Sequence, residues 1–273
     1  MDDKKTVIAL SSIMLSTLHP HVAAAMSIML GQLGKRRPDV DLHLITPSRV
    51  EIAAGRNMSI DIALRKECDY IFFLDDDTVC PGDTLIRLLD RLETTPDIHS
   101  ISPMYRVRSY PFRLMGFVGD GYTYRWKLME EPYDVSPDGL IRCKAIGNGC
   151  TMMRMDVFRA IRAAGDNDEY FRTAKHHTED AYFCAKAINI IPEFTCAIDT
   201  TFSADHMLGT AWLNERNVEY TRLKAKLVVG LSEDVFNTRL CELEAMINRW
   251  YPNKLELASL MEAMDYDGSL GRV

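Results

Sequence analysis

Tyr70-Ile71-Phe72-Phe73-Leu74 is an unbroken apolar run that stops on three aspartates, Asp75, Asp76 and Asp77. A run so short and so uniformly apolar reads as a buried strand, since a half-exposed strand would alternate with polar residues. Thr6 to Leu10 and Leu42 to Thr46 have the same texture. Helical stretches separate the runs, at about His21 to Leu33 and Arg56 to Lys66, and another follows the third, at Thr84 to Leu92 behind Pro81-Gly82-Asp83. The first of these helices is expected to stop at Gly34, with Lys35-Arg36-Arg37 near its negative end. Short buried strands alternating with helices predict an α/β fold with a mostly parallel central sheet and crossover helices.

The texture changes from Ser102 to Lys144, where prolines, glycines and aromatics replace helical periodicity. A loop and an antiparallel hairpin are predicted there. Val157 to Ala164 and Thr178 to Ile188 read as helices, and Phe194 to Ile198 as a strand. After Ala211 the pattern is of two or three amphipathic helices up to Met264. The expected organisation is a main domain over 1–210 and a helical appendage over 211–273.

Composition narrows the class. Hydrophobic residues make up 47% and charged ones 26%, which excludes disordered, collagenous and disulfide-scaffold proteins. The net charge, 32 − 39 = −7, argues against a general binder of polyanions. Seven cysteines, none in a C-x-x-C pair, give no zinc or thioredoxin pattern and predict a reducing, cytoplasmic setting. The N-terminal apolar run is short and preceded by Asp2 and Asp3, so it reads as a first strand and not as a signal peptide. No stretch reaches the ~20 apolar residues that span a bilayer.

The chemistry concentrates at a few places. In open α/β sheets, ligands bind beyond the carboxyl ends of the strands. Three adjacent carboxylates at such an end repel one another unless a cation compensates them, and hard divalent cations favour carboxylate oxygens. The competing reading is a solvated turn in which Asp77 or Thr78 caps the next helix. Arg56 and Asn57 are expected at a helix start, where backbone N–H groups favour phosphate, although Arg56 could equally form an ion pair. Thr178 can cap the helix that Glu179 and Asp180 begin. The segment Tyr105 to Lys127 interleaves Arg106, Arg108, Arg113, Arg125 and Lys127 with Tyr105, Tyr110, Phe112, Tyr122, Tyr124 and Trp126. Most of these aromatics are expected to pack on the sheet, leaving Trp126 to stack on an acceptor.

Four segments occur in order: Ala54-Gly55-Arg56-Asn57, then DYIFFLDDDTVCPGD, then GNGCTMMRMDVF, then TEDAYFCAKA. In this the chain resembles the GT-A glycosyltransferases, most closely their family 2 group, from about Val7 to Gly209. The resemblance implies a Rossmann-like domain that transfers a sugar from a UDP- or GDP-linked donor to an acceptor hydroxyl. It implies that Asp75 and Asp77 hold a divalent metal, Mn²⁺ or Mg²⁺, with Asp77 the direct ligand and Asp76 beside the donor. His206 is the implied further metal ligand, and imidazole suits Mn²⁺ better than Mg²⁺. Asp180 is the implied general base of an inverting reaction, with Glu179 orienting it or the acceptor. Ser11 and Ser12 fall where the family cradles the nucleobase. Gly147, Asn148 and Gly149 fall at its acceptor-side turn. The acceptor could be a glycan, a small molecule or, as in phage enzymes, a modified DNA base. A sugar-nucleotidyltransferase and a non-catalytic sugar-nucleotide or glycan-binding module are the alternatives.

Overall fold

In a computed structural model the described residues are 5–13, 18–108, 112–119, 126–165, 169–173, 177–208, 211–213, 218 and 221–222. The chain opens with β1 (Thr6–Ile13), α1 (Pro20–Arg36), β2 (Val40–Ile45), α2 (Ile52–Arg65) and β3 (Tyr70–Asp75). It continues through β4 (Thr78–Val79), α3 (Thr84–Thr94), β5 (Ser100–Met104), β6 (Gly116–Val118), β7 (Lys127–Leu128), β8 (Leu140–Cys143) and β9 (Ala145–Ile146). Then come β10 (Cys150–Arg154), α4 (Met155–Ala163), α5 (Glu179–Ile190), β11 (Cys196–Ser203), β12 (Asp205–Leu208) and β13 (Ala211–Leu213).

Among the described residues the central sheet has seven strands in the order β2-β1-β3-β10-β5-β11-β8. β1 runs parallel to β2 and β3, and β5 parallel to β11, while β10 and β8 run against their neighbours. This is the α/β, mostly parallel architecture that the alternating pattern predicts. Ile71, Phe72, Phe73 and Leu74 are all buried, as an uninterrupted apolar strand requires. α3 buries Leu85, Leu88, Leu89 and Leu92, the spacing of one helical face. The predicted hairpin is present as β6 and β7, which pair Phe117 with Leu128.

An aromatic chain joins the sheet to the later helices. Phe73 of β3 meets Phe171 edge-on at 5.7 Å, Phe171 stacks on Phe183 of α5 at 4.8 Å, and Phe183 stacks on Phe158 of α4 at 5.1 Å. Such contacts stabilise beyond their buried area, and here they hold the start of α5 close to the end of β3.

Several boundaries differ from expectation. α1 runs through Gly34 to Arg36, because Pro38 and not the glycine ends the run. α2 starts at Ile52, four residues before Arg56, with Glu51 as its N-cap accepting from the Ala54 N–H at 3.0 Å. Thr178 occupies the N-cap of α5 but makes no side-chain capping bond. Ala211–Leu213 is a strand, paired antiparallel with β12, and not the start of a helix. The helices expected up to Met264 lie outside the described residues beyond Arg222.

The chain divides into two compact units, Met1–Met104 with Met115–Ala204, and Tyr105–Leu114 with Asp205–Val273. The first holds the central sheet. In the second, Phe112, Leu213 and Val218 form a small apolar cluster. No described helix is long and apolar enough to cross a membrane.

Candidate functional site at the end of β3

The site is organised by one buried cation. Arg56, 1% exposed, extends from the second turn of α2. Its Nη2 donates to Asp75 Oδ1 at 3.1 Å and Oδ2 at 3.3 Å, and its Nε to Glu179 Oε1 at 3.3 Å. Its Nη1 donates to the Asn148 carbonyl at 3.4 Å, and the guanidinium lies 5.1 Å over the Phe73 ring. One side chain thus draws together the aspartate run, the Gly-Asn-Gly turn and the start of α5. Gly55 permits the approach: a Cβ there would stand 3.0 Å from Ile13 Cγ2 and 3.2 Å from Val50 Cγ2.

This geometry corrects the placement of Arg56 and Asn57 at a helix start. The positive end of α2 lies at Ile52 and is already met by the Glu51 carboxylate, which also accepts from Thr173 at 2.8 Å. Arg56 takes the ion-pair alternative. The Asn57 amide clamps one peptide: Nδ2 donates to the Phe171 carbonyl at 2.8 Å, and the Phe171 N–H donates to Oδ1 at 2.9 Å. That clamp fixes Phe171 against Phe73 and was not legible from spacing, since its partners are 114 residues apart.

Charge is unbalanced around Arg56. One guanidinium faces Asp75, Glu179 and Asp180, and Asp77 adds to the negative field at Asp75. Burial, against the opposing pull of Arg56 and helped by Asp77 and Glu179, pushes the Asp75 carboxyl up to about 6. Burial and then Glu179 push Asp180 well above the ordinary carboxyl range. Both shifts come first from burial, with neighbouring carboxylates adding to them. Asp180 Oδ1 is buried with no hydrogen-bond partner among the described residues. Both amide atoms of Asn148, a residue 1% exposed, are likewise without partners among them. Buried polar atoms left unsatisfied are costly and call for an explanation such as a ligand, a water or an ion.

The remaining expected residues fall in several places. The Asp75 N–H donates to the Gly149 carbonyl at 2.8 Å and Thr151 Oγ1 to the Gly147 carbonyl at 2.7 Å, so the Gly147–Gly149 turn is pinned to the end of β3. Asp76 and Asp77 are half-buried, and Thr78 donates its hydroxyl to Asp77 Oδ1 at 3.3 Å. Neither Asp77 nor Thr78 caps α3, whose N-cap is Asp83. Ser11 Oγ lies 2.8 Å from Ser59 Oγ in the core, whereas Ser12 Oγ is buried with no partner among the described residues. Trp126 is half-buried, and its Nε1 also lacks a partner among them.

His206 belongs to the second unit. Its Nδ1 lies 2.7 Å from the Arg106 carbonyl, and Tyr105 meets its ring edge-on at 5.7 Å. A carbonyl only accepts, so Nδ1 carries a proton in this contact. In the arginine- and tyrosine-rich segment, Tyr105 and Phe112 are buried, and Arg106, also buried, donates to the Phe112 carbonyl at 2.9 Å. Tyr110, Tyr122, Tyr124 and Arg125 lie outside the described residues.

Among the described residues, the carboxylates facing Arg56 outnumber the guanidinium they share, and one buried oxygen, Asp180 Oδ1, is unpartnered. Among the described residues, no three His, Cys, Asp or Glu side chains are gathered as a ligand group for a metal ion.

No family model matches the chain, and no curated protein matches it. Among solved structures, A197 from STIV is similar with a TM-score of 0.49 and 16% identity, over 73% of this chain and 85% of that chain.

Proposed function

We propose that the protein is a divalent-metal-dependent glycosyltransferase of the GT-A kind, inverting, with a sugar nucleotide as donor. The observation that carries this reading is the convergence on Arg56 of Asp75, Glu179 and the Asn148 carbonyl, three of the segments on which the resemblance rests. Asp75 and Asp77 would hold the cation. The chemistry supplied by the bound cation is neutralisation of the departing diphosphate. Asp180 takes the acceptor hydroxyl's proton at its unpartnered Oδ1. Glu179, held by Arg56, orients that carboxylate. Asn148 offers an amide donor and acceptor to sugar hydroxyls, and Trp126 a ring face.

The test is a panel of UDP- and GDP-sugars with and without Mn²⁺. Release of nucleoside diphosphate supports transfer. Pyrophosphate from a nucleoside triphosphate plus sugar phosphate would replace this reading with a nucleotidyltransferase, and binding without turnover with a binding module.

A further inference from the structure

Cys80 and Cys150 are 70 residues apart in sequence, yet their sulfurs lie 2.8 Å apart in the core. Both are free thiols, 3% and 0% exposed. The pairing is built by the backbone. Cys150 opens β10 directly opposite Leu74, the residue before Asp75. Cys80 follows β4, two residues beyond Thr78. Bringing the sulfurs from 2.8 Å to a disulfide of ~2.05 Å needs a movement of under about 1 Å.

We propose that Cys80 and Cys150 are a redox-modifiable pair, joined by a small-molecule disulfide such as oxidised glutathione into a bond that staples the Asp75–Cys80 segment to β10. In the first step one protein thiolate attacks the small disulfide, forming a mixed disulfide and expelling one glutathione thiolate. In the second, the other protein thiolate attacks the mixed disulfide and expels the second. The two protons of the protein thiols end on two glutathione molecules, so two cysteines are oxidised and one glutathione disulfide is reduced. Cys80, the less completely buried residue of the two, makes the first attack. Burial, then Cys80 itself and the charge of Asp75, push the Cys150 thiol well above its ordinary range, which leaves Cys150 little thiolate and makes the second step the slower one. Burial of both sulfurs makes the exchange wait on local opening, so it proceeds over minutes to hours. The inference holds whether or not the chain transfers sugars.

The experiment uses the full chain, incubated with oxidised glutathione or with dithiothreitol. Thiols are then counted in denaturant, and the alkylated protein is digested for mass spectrometry. Seven thiols should fall to five, with one cross-linked peptide pair containing Cys80 and Cys150, and the melting temperature should rise. Cys80→Ala and Cys150→Ala should each retain all six of their thiols, and either variant alone suffices if the other fails to fold. Seven thiols after oxidation, or loss of two thiols in a variant lacking one of the pair, overturns the assignment. A cross-link among Cys143, Cys184 and Cys196 in the wild type does so equally.

Discussion

Arg56 and Asp75 form a nearly enclosed ion pair, Nη2 to Oδ1 at 3.1 Å, with the arginine side chain 1% and the aspartate 22% exposed. The same guanidinium reaches Glu179. Removing one partner of a buried pair leaves the other charge unpaired, a loss of about 3–5 kcal/mol. Arg56→Met should therefore unfold at markedly lower denaturant. Arg56→Lys keeps the charge but loses the fork that serves two carboxylates, so it should fall in between. Equilibrium urea melts decide this. Wild-type stability in Arg56→Lys, with nucleotide binding alone lost, would restore the phosphate role.

Asp77→Ala should abolish stabilisation by Mn²⁺ plus nucleoside diphosphate and leave the metal-free melting temperature near wild type. Saturating ligand at about 100 times its Kd stabilises by about 2.7 kcal/mol, so the wild-type shift is readily measured. Absence of any metal-dependent shift in the wild type would remove the metal from the site.

The Asp75 carboxyl has a pH signature. Its folded value, about 6, lies above the ordinary 3.8, so the folded state binds the proton more tightly. The stability this group contributes is complete below about pH 4 and is lost as pH rises through 6, on the order of 3 kcal/mol. Other groups titrate as well, so the measurement is a difference: wild type minus Asp75→Asn, melted in urea from pH 4 to 7. The difference should fall as pH rises. A flat profile would mean that Asp75 is ionised throughout and fully matched by Arg56.

The strand and helix alternation was legible because Tyr70 to Leu74 and Thr6 to Leu10 are apolar without interruption. Where polar residues are neutralised by distant partners, the pattern fails. β11 continues past Ile198 through Asp199, Thr200 and Thr201 because Arg91 of α3 pairs with Asp199 at 2.9 Å. The start of α2 was missed because its cap is Glu51, outside the usual Ser, Thr, Asp and Asn set. The aspartates, the Gly-Asn-Gly turn and Glu179-Asp180 could each be singled out by residue type. Their meeting on Arg56 could not, because Arg56 and Glu179 are 123 residues apart.

Asp180→Asn separates base from scaffold most cleanly. Burial and Glu179 raise the folded pKa of Asp180 well above its ordinary value. By linkage, its contribution to stability is complete below the unfolded carboxyl value and is lost as pH rises through the folded one. Asparagine stays neutral throughout, like the protonated acid, and keeps nearly its shape. At pH 8 the variant should thus melt at or above the wild-type temperature. It forgoes an acid in the first turn of α5, a favourable term of about 0.3–1 kcal/mol, which is smaller than the cost of burying the charge. Transfer should fall ~10²–10⁴-fold, because an amide takes up no proton at neutral pH. Donor affinity should hold, since the donor is assigned to the end of β3. Melting temperature, donor affinity and transfer rate on one preparation decide the matter. A stable Asp180→Asn enzyme with near-normal transfer would move the base elsewhere, and a destabilised one whose activity tracks its folded fraction would make Asp180 a helix-start residue only.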